Sequence, residues 1–316
     1  MTLTILILTL GFVILIKGAD WLVNGSVSLA KHYHISELAI GLTIVAFGTS
    51  APELVVNIIS SIKGYNDVTM GNIVGSNLFN LMLILGLSGL VYPLTVQVKT
   101  IWNEIPFSLL AAIVLLFLAN YTFNSNEIKS LNRFEGVILL FFFLLFMAYI
   151  FINLRSKDET LEVGFRILKP GFSVVLIVIG VIALIFGSRL VVDNAVKIAQ
   201  YFGASEKLIG ITIVSAGTSL PELVTSIVAA FRKKSDIAIG NIIGSNIFNI
   251  FLILGVSSLI APITYNNSFN FDILLLIGST ILLFVFMFSG KKYKLDRWES
   301  ALLLIGYAGY ISYLLM

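Results

Sequence analysis

The stretch GLTIVAFGTSAPELV occupies Gly41–Val55, and a close copy, GITIVSAGTSLPELV, occupies Gly210–Val224. A second stretch, GNIVGSNLFN at Gly71–Asn80, returns as GNIIGSNIFN at Gly240–Asn249. Each copy lies 169 residues after its original, and 22 of the 41 positions from 40 to 80 match their partners without a gap. Two unrelated apolar helices would share Leu, Ile and Val by chance, but not the same Gly, Thr, Ser, Pro, Glu and Asn. The chain therefore contains an internal repeat.

The composition indicates a lipid environment. Of 316 residues, 58% are hydrophobic and 12% are charged, and the mean hydropathy is +1.01. A water-soluble domain has about 45–50% apolar and about 25% charged residues. Too few charges remain to cover a surface in water, so the bilayer is the expected solvent. The net charge of +3 gives no case for nucleic acid, and with no cysteine and only His32 and His34 a thiolate or histidine metal site is not expected.

Ten apolar stretches are separated by polar segments, and each is close to the roughly 20 residues that a helix needs to cross a bilayer. The predicted fold class is therefore an all-α integral membrane protein with ten transmembrane helices. The stretches are 3–29, 37–62, 68–92, 102–120, 134–153, 171–199, 206–231, 237–261, 270–289 and 297–315.

The longest polar connection lies near the midpoint and predicts two five-helix repeats, 1–153 and 171–316, joined by a cytoplasmic linker at 154–170. Because five is an odd number, the second repeat would enter the membrane with the opposite polarity, as in many secondary transporters. With the N-terminus placed outside, thirteen lysines and arginines fall in inside loops and five in outside loops. The positive-inside rule thus predicts that both termini are non-cytoplasmic.

Glu53 and Glu222 each lie midway along an apolar stretch. A charged side chain at the bilayer centre costs about 2.5–3.5 kcal/mol on insertion scales. Neither motif contains a lysine or arginine that could pair with the carboxylate, so a bound cation is the expected partner. The alternative, a protonated glutamate in a helix interface, does not explain two matched copies that each follow a proline.

Other oxygen atoms accompany each glutamate. Pro52 and Pro221 have no N–H to donate to the carbonyls of Gly48 and Gly217, so they free those oxygens and bend the helix. A set of carboxylate, hydroxyl, amide and carbonyl oxygens suits a hard cation, and calcium takes 6–8 of them. Packing kinks and interhelical hydrogen bonds are the alternative for these residues. The hydroxyl and amide candidates are Thr49, Ser50, Ser76, Asn80, Thr218, Ser219, Ser245 and Asn249.

Two further charged pairs lie inside the first and sixth stretches. Lys17 with Asp20, and Arg189 with Asp193, have the i,i+3 and i,i+4 spacings of neighbours on one helix face. We interpret both as local ion pairs.

GTSAPE with GSNLFN, repeated as GTSLPE with GSNIFN, resembles the alpha-repeats of the calcium/cation antiporter superfamily, in the prokaryotic sodium/calcium exchanger branch. The resemblance covers the whole chain. It implies ten helices in a prokaryotic inner membrane, and an ion site on the second, third, seventh and eighth helices. It also implies a secondary active antiporter, not an enzyme, that carries calcium and sodium in turn as cargo and needs no cofactor. Its oligomeric state is left open.

Carried over by position, the resemblance implies the following ligands: Glu53, Thr49, Ser50, Ser76, Asn80, Glu222, Thr218, Ser219, Ser245 and Asn249, with the carbonyls of Ala46 and Ser215. Several family members have an aspartate at the position of Asn249. Here only the two glutamates supply formal charge, so the site carries −2, which balances one calcium ion. Three sodium ions would leave a residual +1 at low dielectric.

Rival functions stay open at this point. Calcium/proton or potassium-involving exchange would fit the two amides. A membrane-embedded enzyme would need an Asp pair, a Ser-His dyad or a His-rich zinc motif, but no histidine lies near either glutamate motif and no aspartate lies inside one. A passive channel would show ion fluxes with no dependence on a counter-ion.

Overall fold

The computed structural model describes residues 2–121, 129–153, 168–202 and 215–315. Apart from four two-residue strands, the regular structure in these ranges is helical. Seven helices there are long and apolar enough to cross a membrane, or eight if a bent pair is counted as one span. The helices are α1 Thr2–Tyr33, α2 Glu37–Thr49, α3 Ala51–Ile62, α4 Asn66–Val91, α5 Thr100–Asn120, α6 Arg133–Ile152, α7 Pro170–Tyr201, α8 Ser215–Thr218, α9 Leu220–Phe231, α10 Ser235–Ile260, α11 Phe269–Phe286 and α12 Arg297–Leu315.

These helices begin and end within a few residues of the predicted stretches wherever both can be compared. The stretch predicted at 37–62 differs, because α2 and α3 meet at Ser50 with a bend of 48°. Most of the predicted linker at 154–170 and the start of the stretch at 206–231 lie outside the described residues. The chain is a multi-pass helical membrane protein.

The long helices α1 and α7 pack against each other at glycines. A Cβ atom on Gly18 would lie 3.0 Å from the carbonyl oxygen of Gly180, and one on Gly180 would lie 2.8 Å from that of Gly18. Small residues let membrane helices approach this closely. Larger side chains at these two positions would force the helices apart.

Helices α4 and α10 form the centre of the molecule, and α10 is buried along most of its length. Each changes from α-helix to π-helix one residue after the GSN sequence, at Phe79–Ile84 and Phe248–Leu254. π-Helical segments are rare and are frequently found at functional sites. Both segments follow an asparagine that belongs to the repeated motif.

Two short antiparallel ladders join the two halves of the chain. Strand β1 (Leu94–Thr95) pairs with β4 (Lys294–Leu295), and β2 (Ser130–Leu131) pairs with β3 (Ile263–Thr264). Each ladder provides hydrogen-bond partners for the backbone N–H and C=O groups of the segments that connect helices.

Asp20 forms an ion pair with Arg232 at the end of α9, and Arg232 also donates a hydrogen bond to Asn24. The interpretation that Asp20 pairs with Lys17 was therefore wrong. Local spacing favoured a partner one turn away, but Arg232 reaches Asp20 from another helix. The pair links α1 to α9.

Candidate cation-binding site

Both GTS motifs interrupt a helix at the serine. Ser50 has φ −82° and ψ 7°, and Ser219 has φ −90° and ψ 9°, which are outside the helical range. Pro52 and Pro221 follow in the first turns of α3 and α9, where a missing N–H is tolerated. The break thus creates two helix N-termini at the centre of the molecule.

Each new helix carries its glutamate in the first turn. Glu53 and Glu222 are each 1% exposed. The partial positive charge of a helix N-terminus favours a carboxylate at this position. The end of the helix therefore offsets part of the cost of burying the glutamate.

The two repeats exchange hydrogen bonds at this point. Ser50 Oγ donates to Glu222 Oε1 over 2.9 Å, and Ser219 Oγ donates to Glu53 Oε1 over 3.1 Å. The serine of each repeat thus holds the glutamate of the other.

A serine on α4 or α10 completes each cluster. The Ser50 and Ser245 hydroxyls lie 3.0 Å apart, and so do the Ser219 and Ser76 hydroxyls. Because Ser50 and Ser219 have one proton each, already given to a carboxylate, Ser245 and Ser76 are the donors in these pairs.

Several buried oxygens have no hydrogen-bond partner in the described part of the chain, and four of them are acceptors on the candidate ligands. These four are Glu53 Oε2, Glu222 Oε2, Asn80 Oδ1 and Asn249 Oδ1. Buried polar atoms are almost always paired, so four unpaired acceptors in two matched motifs need an explanation. All four atoms are acceptors, the kind of atom that a hard metal cation binds.

Electrostatics favour the same ligand. Within the described ranges, neither Glu53 nor Glu222 forms an ion pair with a lysine or arginine. Leaving a buried charge without a partner is costly. Two carboxylates and neutral oxygens suit a hard divalent ion such as calcium, which is bound by oxygen.

The threonines are held by asparagines of the opposite repeat. Thr49 Oγ1 lies 3.0 Å from Asn241 Oδ1 and 3.2 Å from the carbonyl oxygen of Ala46. Thr218 Oγ1 lies 3.2 Å from Asn72 Oδ1. Each threonine oxygen keeps lone pairs that could face an ion.

The two predicted carbonyl ligands belong to Ala46 and Ser215. The Ala46 carbonyl already accepts from the Ser50 N–H at 3.0 Å as well as lying near Thr49. Ser215 begins α8, and its side chain is outside the described atoms. The part of either carbonyl in ion binding stays a prediction.

The structure brings together in hydrogen-bonded clusters the two glutamates and Ser50, Ser76, Ser219 and Ser245. Asn80 and Asn249 lie one turn beyond Ser76 and Ser245 on the same helix faces. The sequence did not lead us to four asparagines that form hydrogen bonds with the candidate ligands. Two of them contact the threonines, and two contact Asn80 and Asn249. Their signal was present, because all four are matched between the repeats: Asn72, Asn77, Asn241 and Asn246.

Comparison with known proteins agrees with this geometry. The sequence profile of the sodium/calcium exchanger protein family matches residues 3–152 and 172–316. The sodium/calcium exchanger MaX1 of Methanosarcina acetivorans is 32% identical, with 98% of each chain covered. The inner membrane protein YrbG of Escherichia coli is 36% identical, over 83% of this chain and 81% of its own.

Solved structures give the same answer. The sodium-calcium exchanger NCX_Mj, in a crystal soaked with sodium and calcium, superimposes with a TM-score of 0.82. The two are 33% identical, and the alignment covers 98% of each chain.

Two broken helices that meet at a buried, oxygen-only cluster define a membrane transporter for cations. The chain belongs to the sodium/calcium exchanger family, and it is a cation antiporter rather than an enzyme. The resemblance found in the repeated motifs is confirmed.

Proposed function

We propose that this protein exchanges calcium for sodium across a prokaryotic inner membrane, by alternating access around Glu53 and Glu222. The observation that carries the proposal is the set of four unpaired buried oxygens on these glutamates, Asn80 and Asn249. Two carboxylates neutralise one calcium ion. The names of MaX1 and NCX_Mj support sodium as the counter-ion.

The ligands we propose are those implied by the repeated motifs. The carboxylates of Glu53 and Glu222 bind calcium in the centre, and the hydroxyl and amide oxygens complete its shell. Sodium ions use the same or flanking oxygens when calcium has left. The remaining ligands are Thr49, Ser50, Ser76, Asn80, Thr218, Ser219, Ser245, Asn249 and the carbonyls of Ala46 and Ser215.

The test is radiolabelled calcium uptake into proteoliposomes loaded with sodium and diluted into choline buffer. We expect uptake that requires internal sodium and stops when the gradient is collapsed. Uptake that instead requires internal acid or potassium would overturn sodium as the counter-ion. Uptake that is indifferent to every internal cation would indicate a channel and overturn exchange altogether.

We also propose ten spans in two inverted repeats, 1–153 and 171–316, with both termini outside and no bound cofactor. The repeat offset and the distribution of basic residues support this topology.

The chain has no cysteine, so single cysteines introduced at Thr2 and Leu315 can be labelled with an impermeant maleimide in intact spheroplasts. Labelling at both ends is expected, and protection of either end would overturn the topology. A cysteine at Lys233, in the loop after α9, is the matched inside position.

A further inference from the structure

Four asparagines form a closed hydrogen-bonded network between α4 and α10. Asn77 Nδ2 donates to the backbone carbonyl of Asn246 over 3.2 Å, and Asn246 Nδ2 donates to that of Asn77 over 3.3 Å. Asn249 Nδ2 donates to Asn77 Oδ1 over 2.9 Å, and Asn80 Nδ2 donates to Asn246 Oδ1 over 3.1 Å. The network is reciprocal, since each bond has its counterpart in the other repeat.

The orientation of all four amides follows from the two backbone carbonyls. A carbonyl oxygen can only accept, so the end of Asn77 that faces the Asn246 carbonyl must be its NH₂ group. The oxygen of Asn77 then points at Asn249, and it must receive an N–H from that side chain. Asn249 is thereby turned with its own oxygen away from the network.

The same steps apply to Asn246 and Asn80. As a result, Asn80 Oδ1 and Asn249 Oδ1 are both left buried and without a hydrogen-bond partner in the described part of the chain. An amide rotated by half a turn would present NH₂ to the ion instead, and N–H groups repel a cation. Whether Asn249 presents an oxygen or an NH₂ group to the ion therefore depends on Asn77, which does not itself face the ion. Asn80 depends on Asn246 in the same way.

We infer that Asn77 and Asn246 are positioning residues that lock the amides of Asn249 and Asn80 with oxygen toward the bound cation. All four side chains are at most 1% exposed in this structure, so bulk water does not reach them to replace a lost partner. The inference rests on the proposed function in taking Asn80 and Asn249 as ligands. It adds that the asparagine of each GSN sequence serves the ligand of the opposite repeat.

An aspartate at a ligand position does not need the lock, because both ends of a carboxylate are oxygens. This gives a test that separates positioning from packing. We expect Asn77→Leu, which keeps the number and branching of the side-chain heavy atoms, to weaken calcium binding about 10–100-fold, the usual effect of removing the partner of a metal ligand. In an Asn249→Asp background we expect the same substitution to change the affinity about twofold or less, the error of ordinary additivity.

The experiment is calcium titration of the purified, detergent-solubilised protein by calorimetry, with the four members of the cycle compared. Asn194→Leu is the matched control, since Asn194 is a buried asparagine on α7 that donates to the carbonyl of Leu190. It should leave calcium affinity unchanged in both backgrounds. The mirror cycle, Asn246→Leu with Asn80→Asp, decides the matter should Asn77→Leu fail to fold.

Equal losses in the Asn249 and Asn249→Asp backgrounds would overturn the inference and show that Asn77 acts only through packing. That outcome would leave the proposed function standing. Conversely, a protein that binds calcium but does not exchange it for sodium would overturn the proposed function, while the binding cycle would still decide the role of Asn77.

Discussion

Ser50 donates to Glu222 Oε1 over 2.9 Å, although 172 residues separate them in the chain. The counterpart bond, from Ser219 to Glu53, makes the exchange reciprocal. Neither repeat therefore contains a complete half-site. Because each carboxylate depends on a hydroxyl of the other repeat, movement between the two repeats must alter both halves of the site together.

This arrangement predicts which substitutions are coupled. Ser50→Ala and Ser245→Ala remove members of one cluster, so their effects on calcium affinity should deviate from additivity by about 0.5–3 kcal/mol, as for residues in contact. Ser50→Ala combined with Ser76→Ala removes one member from each cluster and should be closer to additive. The measurement is the apparent calcium affinity of each single and double variant. Equal coupling in the two pairs would contradict the assignment of two separate clusters.

Removal of one carboxylate charge should abolish exchange. Glu53→Gln and Glu222→Gln keep the shape of the side chain but leave the site at −1, which cannot neutralise calcium in a buried environment. Calcium uptake by proteoliposomes should fall to the level of protein-free vesicles for both variants.

The matched control is Glu104→Gln, because Glu104 is a buried glutamate (3% exposed) on α5 and is hydrogen-bonded to Tyr149 outside the site. This variant should retain sodium-dependent uptake. Normal exchange by either Glu53→Gln or Glu222→Gln would contradict the proposal that both carboxylates bind the calcium ion.

The repeat and its oxygen-rich motifs could be predicted from the sequence because they depend on residue identity. Apolar stretches also fixed the helix limits within a few residues, since hydrophobic length is a local property. The break at Ser50 was foreseen from Pro52 as a bend, but its angle depends on packing with α10.

The partners of the site residues could not be predicted in the same way. A repeat predicts matched positions, but it does not say that Ser50 bonds Glu222 rather than Glu53, because this depends on how the two repeats dock. The repeat matches Asn77 with Asn246. The role that we infer for Asn77, however, depends on which end of its side-chain amide faces Asn249, and a sequence repeat does not show this orientation. Asp20 is a second example. Its spacing from Lys17 predicted a local ion pair, because the sequence does not show that Arg232, far away in the chain, lies next to it in the fold.

Tyr149 should stabilise the protein through Glu104. Its hydroxyl donates to Glu104 Oε1 over 2.6 Å, while Glu104 Oε2 is buried without a hydrogen-bond partner among the described residues. Tyr149→Phe would remove the donor at Oε1 and leave that buried oxygen without its partner, at a cost of about 1–3 kcal/mol. We expect a lower melting temperature in detergent and unchanged calcium affinity.

Tyr313→Phe provides the comparison for that substitution, because Tyr313 on α12 is 59% exposed. It should leave the melting temperature unchanged. Equal melting temperatures for Tyr149→Phe and the unsubstituted protein would show that the hydrogen bond to Glu104 contributes nothing to stability.

The ion pair between Asp20 and Arg232 should make a small, salt-dependent contribution. The two side chains are 28% and 37% exposed, and pairs of this kind contribute about 0.2–1 kcal/mol. Arg232→Gln and Asp20→Asn should each lower the melting temperature slightly at low salt, and the double variant should be no worse than the single ones. High salt should shrink the difference, because exposed charges are screened. Lys233→Gln removes the same charge from the adjacent residue, which forms no ion pair with any of the described residues, and it should have no such effect. Additive losses in the double variant would show that the two residues act independently and that α1 is not tied to α9 at this point.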